Sequence, residues 1–244
     1  MKVKLRKKGN AGTGCLVCGK PVVYSADSAV VTCRLCGKQY ETNATCEAGH
    51  YVCDKCHSSS QPDYLKLLRN SDEKDASVLF RQVAELKSVH THGPEHHSIV
   101  PCVMLTAYRN NGGAIDLNAA LETATKRGAK LPGGTCGYWG ACGAAIGAGI
   151  YAAIILGSSP LNAGVWSAPQ QLTALCLSRV AELGGPRCCK RTSLLSIETA
   201  AQFTQEQTGV AIPAERLTCS YSGRNRECIH AMCPYFGGKA NAKI

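Results

Sequence analysis

The chain carries sixteen cysteines, and those near its start are spaced as metal ligands. Four short-gap pairs occupy this region: Cys15 with Cys18, Cys33 with Cys36, Cys46 with His50, and Cys53 with Cys56. A gap of two residues lets both thiolates of a pair reach one tetrahedral ion at about 2.3 Å. These eight ligands predict two structural zinc sites.

The spacing leaves two ways of sharing the ligands. Sequential pairing joins the first two pairs on one ion and crowds the last two onto another. Alternating pairing joins the first pair with the third and the second with the fourth. The order from Cys33 to Cys56 resembles most of a RING-type cross-brace, which pairs ligands in this alternating way, and we favour it. His57 is an alternative ligand to Cys56.

A second set of cysteines lies in glycine-containing loops or near predicted helix starts. A helix N-terminus lowers the pKa of a thiol and stabilises an anionic ligand. Glycine amides in such turns can donate hydrogen bonds to cluster sulfur. This set predicts an iron–sulfur cluster, another metal or dithiol redox chemistry, and its members are Cys136, Cys142, Cys188, Cys189, Cys219, Cys228 and Cys233.

Not all of these thiolates bind one cluster, since four complete a common type. Cys188 and Cys189 are adjacent and point in different directions, so we expect one to ligate while the other packs or acts in redox chemistry. Cys102 and Cys176 fit the apolar faces of predicted helices, so we expect them in the core.

Basic and imidazole side chains accompany the second set. Arg187, Lys190 and Arg191 flank the adjacent pair, where they can hold thiolates ionised or attract an anion, or simply form an exposed basic turn. His96 and His97 come just before a predicted helix, as metal ligands, proton carriers or capping residues. If the protein is an enzyme, the candidate catalytic residues are His96, His97, Cys188 and Cys189.

The predicted elements divide the chain into three parts. Residues 1–14 form a basic arm, residues 15–60 a zinc-binding module with short strands, and residues 61–244 a helical, cysteine-rich domain. Ser58 to Pro62 has the composition of a linker. The fold class is therefore α+β, and the pattern predicts helices at residues 72–89, 99–109, 116–127, 140–156, 168–183 and 191–208.

Charge and composition limit the cellular setting. The formal net charge is +10, and two thiolate-bound zinc ions would bring it to about +7. The basic start has no apolar segment after it, so it does not read as a signal peptide. We therefore expect a cytoplasmic protein with reduced thiols. The uncharged, Gly- and Ala-rich stretch from Gly140 to Gly157 predicts a buried helix rather than a membrane span.

Specific motifs in the helical part resemble a known family. They are Pro132-Gly-Gly-Thr-Cys136-Gly, Cys142-Gly-Ala-Ala-Ile-Gly-Ala-Gly-Ile, Gly184-Gly-Pro-Arg-Cys188-Cys189 and Cys233-Pro-Tyr. With His96 and His97 they resemble the domain of unknown function 5714 over residues 60–237, a likeness that brings no settled activity. The segment with Cys136 and Cys142 is more distantly similar to the C-GCAxxG-C-C proteins, small helical proteins with suspected redox or cluster roles.

Three functions fit these patterns. We favour an iron–sulfur or thiol-redox metalloprotein of an anaerobic setting, acting in electron or sulfur transfer or in cofactor assembly. Its zinc module would then dock a protein partner. The first alternative is a zinc-ribbon adaptor that binds nucleic acid, through its basic arm, or a protein. The second is an enzyme that uses a cysteine nucleophile and a histidine base.

Overall fold

A computed structural model describes residues 14–58 and 61–237. The N-terminal module contains two antiparallel strands, β1 (Val22–Thr32) and β2 (Gln39–Cys46), and the short helix α1 (Asp54–His57). The strand register shifts between Tyr24 and Ala29. The basic arm predicted at residues 1–14 lies outside the described residues except for Gly14.

Within residues 14–58, the fully buried side chains are those of Cys15, Cys33, Cys46 and Cys53. Strand β1 is exposed along almost its whole length, including the apolar side chains of Val23 and Val30. A two-stranded sheet without an apolar core is marginally stable. The module is therefore organised around its cysteines.

The rest of the described chain is mostly helical, as expected for the α+β class. Its helices are α2 (Gln61–Arg69), α3 (Ala76–Ala84), α4 (His96–Asn110), α5 (Leu117–Gly128), α6 (Thr135–Tyr138), α7 (Gly143–Ile155), α8 (Ser167–Leu183) and α9 (Cys189–Thr208). Helix α2 begins inside the predicted linker. The helix expected at 72–89 is shorter because Asp75 caps it, accepting from the N–H groups of Ser77 and Val78. No helix in the described part is both long and apolar enough to cross a bilayer.

Helix α4 forms the centre of the helical body and is buried from His96 to Tyr108. It starts three residues earlier than predicted, so His96 and His97 lie in its first turn rather than before it. Helix α7 packs against it through glycines: a Cβ at Gly147 would lie 2.9 Å from the His97 carbonyl oxygen and 3.0 Å from Cδ of Pro101. Pro101 has no N–H to donate to that oxygen, four residues earlier.

The C-terminal segment after α9 folds back over the body. The Tyr235 hydroxyl donates to Glu198 on α9 at 2.8 Å. An isolated bridge between Cys219 and Phe236 brings the ends of the segment together. These contacts hold the last three cysteines of the chain against the start of α9.

Candidate functional site

The module ligands form two groups, and the grouping is the alternating one. Cys15, Cys18, Cys46 and His50 form the first group, and Cys33, Cys36, Cys53 and Cys56 the second. In each group all four ligand atoms lie within 4.8 Å of one another. Four thiolates at about 2.3 Å from a tetrahedral ion lie about 3.8 Å apart, and the Cys18–Cys46 and Cys36–Cys53 sulfur pairs are each 3.8 Å apart.

The thiols of the second group differ in how readily they ionise. Burial acts to raise the pKa of Cys33, but N–H donors from Cys53, Cys36 and Leu35 outweigh it and lower that pKa to about 6. Burial and the neighbouring thiols raise the pKa of Cys56 to about 12. Four crowded thiols do not all ionise together without a compensating positive charge. Each group can therefore hold one metal ion.

A backbone turn recurs at the ligand cysteines. The sulfur of Cys15 accepts the N–H of Val17, two residues later, at 3.4 Å. The N–H groups of Leu35 and Ala48 lower the pKa of Cys33 and Cys46 through the same two-residue step. An N–H aimed at sulfur stabilises the thiolate form that binds metal.

The same turn appears at the C-terminal end of the chain. Cys219 accepts the N–H of Tyr221 at 3.3 Å, and Cys228 accepts that of His230 at 3.4 Å. The N–H of Tyr235 acts on Cys233 in the same way, although burial, the larger effect, leaves its pKa raised. These three cysteines thus share the local geometry of the module ligands.

Cys188 joins the three on the wall of one pocket, which we call the C-terminal pocket. Its sulfur accepts from the side-chain amide of Asn225 at 3.4 Å. The charges of Cys219 and Cys233 act on it, while burial is the main reason its pKa is raised. No three of these four sulfurs are among the close ligand groups found in the described residues. Their spacing is therefore wider than that of a single-ion site.

Two buried cations lie beside this pocket. Lys190 is 2% exposed and Arg191 4%, so neither belongs to an exposed basic turn. The ammonium of Lys190 lies 4.9 Å from the ring centroid of Tyr221 and donates to the Ala84 carbonyl. Arg191 donates to the carbonyls of Gly184 and Pro186.

Neither buried cation makes an ion pair with a carboxylate in the part of the chain described. Burial lowers the pKa of Lys190 to about 8. A buried charge is costly unless it is paired. The pocket is therefore suited to an anionic group.

The other cysteines of the second set line a larger space, the central cavity, between the module and the helical body. Its volume is about 960 Å³, and its wall includes Cys136, Cys142 and Cys189. Cys188 lies on the walls of both cavities. The sequence-predicted set thus divides in two, and the adjacent pair stands at the division.

Burial raises the pKa of two thiols in the central cavity, those of Cys189 and Cys136. It raises the pKa of Cys189 to about 12, against the lowering effect of the Gly93 N–H and the charge of Arg187. The pKa of Cys136 is raised by burial and then by the charge of Cys142. Arg187 packs over the ring of Tyr24 on β1, 5.2 Å from its centroid, and so connects module and body.

Two histidines of the central cavity, His96 and His97, have their tautomers fixed by backbone carbonyls. His96 Nδ1 donates to the Gly93 carbonyl at 3.2 Å and His97 Nδ1 to the Leu131 carbonyl at 3.1 Å. Each Nε2 is then an unprotonated acceptor. Burial lowers the pKa of both rings, so both are neutral at pH 7.

The two core cysteines differ from all of these. Their thiols donate to helix carbonyls, Cys102 to Leu121 and Cys176 to Ser196, each at 3.8 Å. Burial raises the pKa of each to about 12. A sulfur that donates is a protonated thiol, whereas a sulfur that accepts N–H groups is prepared to bind metal.

Sequence reasoning missed one group near the module–body contact. His57, His90 and Glu95 bring three ligand atoms within 4.8 Å of one another. The sequence pointed only to His57, as a substitute for Cys56, because nothing in the spacing indicates that a residue at 57 meets one at 95.

Comparison with known proteins gives a family and no activity. A family model described as "Family of unknown function (DUF5714)" matches residues 65–236, more than half of the chain, so the protein belongs to this family. No curated protein and no solved structure matches the chain. The comparisons do not show the more distant similarity to the C-GCAxxG-C-C proteins.

Proposed function

We propose that this member of the DUF5714 family is an iron–sulfur protein that transfers electrons, with Cys188, Cys219, Cys228 and Cys233 as the cluster ligands. The observation that carries the proposal is the two-residue amide-to-sulfur turn at the last three of these cysteines. The same turn is present at three module ligands, Cys15, Cys33 and Cys46, and not at the core cysteines. In the module we propose zinc as the ion of both groups.

The spacing of the four sulfurs favours a cluster over a third single ion. A single tetrahedral ion holds its ligand atoms as close to one another as the ligand atoms within each module group are. In a cluster, iron and sulfide atoms lie between the thiolates and separate them further. The wider spacing in the C-terminal pocket fits the second case.

Charge supports the same assignment. A cluster with four thiolates is anionic, and Lys190 and Arg191 lie buried beside it without carboxylate partners in the described chain. Positive charge and N–H donors near a cluster raise its reduction potential. These residues would therefore both hold the cluster and favour its reduced state.

The central cavity would receive the electron acceptor or a thiol relay. Cys189 follows directly after a proposed cluster ligand, and Cys136 and Cys142 line the same cavity. Two thiols oxidised to a disulfide release two electrons and two protons, and reduction reverses this. In this scheme the cluster exchanges electrons, one at a time, with an acceptor or disulfide in the cavity.

Metal analysis of protein purified without oxygen tests the proposal. We expect iron, acid-labile sulfide and broad absorbance near ~400 nm from thiolate-bound iron. Cys228→Ser and Cys233→Ser should lose both iron and absorbance. Cys176→Ser is the matched control, because a serine hydroxyl can replace its donation to Ser196. Zinc alone, even after reconstitution with iron and sulfide, would refute the cluster.

The exposed hairpin supports a second candidate function, that of an adaptor. Val22, Val23, Tyr24 and Val30 are all at least 36% exposed on β1, and such side chains are available to a protein partner. Val23→Asp and Val30→Asp should then abolish capture of that partner while leaving the metal content unchanged. For the nucleic-acid version of the adaptor, RNA or DNA binding should fall steeply with salt.

A further inference from the structure

The contact between module and helical body contains a cluster of two histidines and one glutamate. His57 comes from the end of α1 in the module, and His90 and Glu95 come from the loop between α3 and α4. Nδ1 of His57 lies 3.2 Å from Oε2 of Glu95, and Nδ1 of His90 lies 3.0 Å from Oε1. The two imidazole centroids are 4.4 Å apart.

We propose that His57, His90 and Glu95 form a third metal site, which takes a divalent first-row transition ion and joins the module to the helical body. Two imidazole nitrogens and one carboxylate oxygen are a common ligand set for zinc, with a fourth position left open. Donors at about 2.0–2.1 Å from a tetrahedral ion lie about 3.4 Å apart. The two nitrogen–oxygen distances run to different oxygens of Glu95. With one oxygen as the ligand, the three ligand atoms still lie within 4.8 Å of one another, which is close enough for one ion.

The surroundings of Glu95 also favour a cation. Its carboxylate is completely buried, and within the described residues its ionic partners are the two imidazoles. The backbone N–H of His90 donates to Oε1 as well. The other titratable groups that interact electrostatically with Glu95 include His96 and His97, which are both neutral, and Tyr64. The Lys190 ammonium also acts on Glu95, but it donates to the Ala84 carbonyl and packs on Tyr221. An ion bound by Glu95 would balance its charge directly.

The packing holds the three ligands in place. Gly93 lies against the cluster, and a Cβ there would overlap Oε2 of Glu95 and come within 2.6 Å of Cε1 of His57. On the same helix as His57, Asp54 accepts the N–H of Gly133 at 2.8 Å. The module end of the site is therefore anchored twice to the body. This proposal does not depend on the iron–sulfur assignment.

The alternative is a clasp in which hydrogen bonds alone hold His57, His90 and Glu95 together. The variant His90→Asn distinguishes this clasp from a metal site. The asparagine amide nitrogen takes the place of Nδ1, so it keeps a donor to Glu95 while removing the imidazole ligand. If the site binds metal, H90N and Glu95→Gln should each hold one zinc equivalent fewer per chain than the wild-type protein. Glu122→Gln is the control, because Glu122 is exposed on α5 and its ionic partner is Lys126, one turn along the same helix.

Equal zinc content in wild type, H90N and E95Q would overturn the proposal and leave the hydrogen-bonded clasp. A second measurement needs no variant and covers the case in which the variants do not fold. Crystals of the full chain grown with zinc should show anomalous scattering between His57, His90 and Glu95. Anomalous peaks at both module groups and none at this position would also overturn it.

Discussion

Removal of metal should unfold the module and leave the helical body folded. The buried side chains of residues 14–58 are four cysteines, so no aliphatic or aromatic core remains to stabilise the module once the ions leave. Structural zinc contributes about 10–16 kcal/mol per site in zinc-finger peptides. The core of the body, by contrast, is built mainly from apolar side chains of α2 to α5 and of α7 to α9.

The expected change in amide protection follows from this difference between the module and the body. A metal-free two-stranded hairpin is marginally stable, so its amides should exchange within about tenfold of the rate of an unfolded chain. In the metal-loaded protein the same amides should be protected by more than ~10³, since about 1.4 kcal/mol corresponds to each factor of ten. Amides of α4 and α7 should keep their protection in both states.

Hydrogen exchange with mass spectrometry, before and after chelation, measures both regions in one sample. Helical circular dichroism should change little, because only the four residues of α1 are helical in the module. Trp139 lines the central cavity, so its fluorescence should shift when the module wall is lost. Persistent protection of β1 and β2 in zinc-free protein would refute the argument that the ligands are the core of the module.

Three further predictions concern the body. Gly147→Ala should destabilise the protein by about 1–3 kcal/mol through overpacking against α4, whereas Gly137→Ala, with open space at its Cβ, should be nearly neutral; urea unfolding measures both. In metal-free protein between pH about 8 and 10.5, Lys190 is protonated in the unfolded chain but neutral in the folded chain. The free energy of unfolding should therefore rise with pH across that window. The rise should be about 3 kcal/mol and should vanish in Lys190→Met; an unchanged slope would contradict the assigned burial effect. Tyr235→Phe should cost about 1.5–3 kcal/mol by removing a hydrogen bond to a carboxylate. Tyr221→Phe should cost little because its hydroxyl has no hydrogen-bond partner among the described residues, so equal thermal shifts for the two variants would contradict this reasoning.

Local spacing was enough to predict the module and the helical nature of the body. The two-residue gaps between cysteines and the cross-brace order predict the two ligand groups, because all eight ligands lie within one short segment of the chain. The small residues of α7 likewise predicted close packing. Helix starts were less accurate: α9 begins at Cys189 rather than Arg191, because Cys188 takes the extended N-cap conformation. An N-cap cysteine gives no side-chain capping signal in a sequence.

What the sequence did not predict depends on long-range contacts. The division of the second cysteine set between two cavities arises because the C-terminal segment folds back onto α9, a contact fixed by Tyr235 and Glu198. A basic pair at a helix start usually faces water. Lys190 is buried instead between Ala84 and Tyr221 of the C-terminal segment, and Arg191 is enclosed by the carbonyls of Gly184 and Pro186. The meeting of His57 with Glu95 depends on how α1 docks, and no periodic pattern records that.

Consecutive residues on the walls of two cavities have a mechanical consequence. The Cα atoms of Cys188 and Cys189 are joined by one peptide unit of about 3.8 Å, and both residues belong to the body, so a hinge motion between module and body cannot change the distance between these two Cα atoms. That distance is the same whether the module is docked or detached. Opening of the module would then change which molecules reach the central cavity, but it would not change the separation of Cys188 and Cys189 along the backbone.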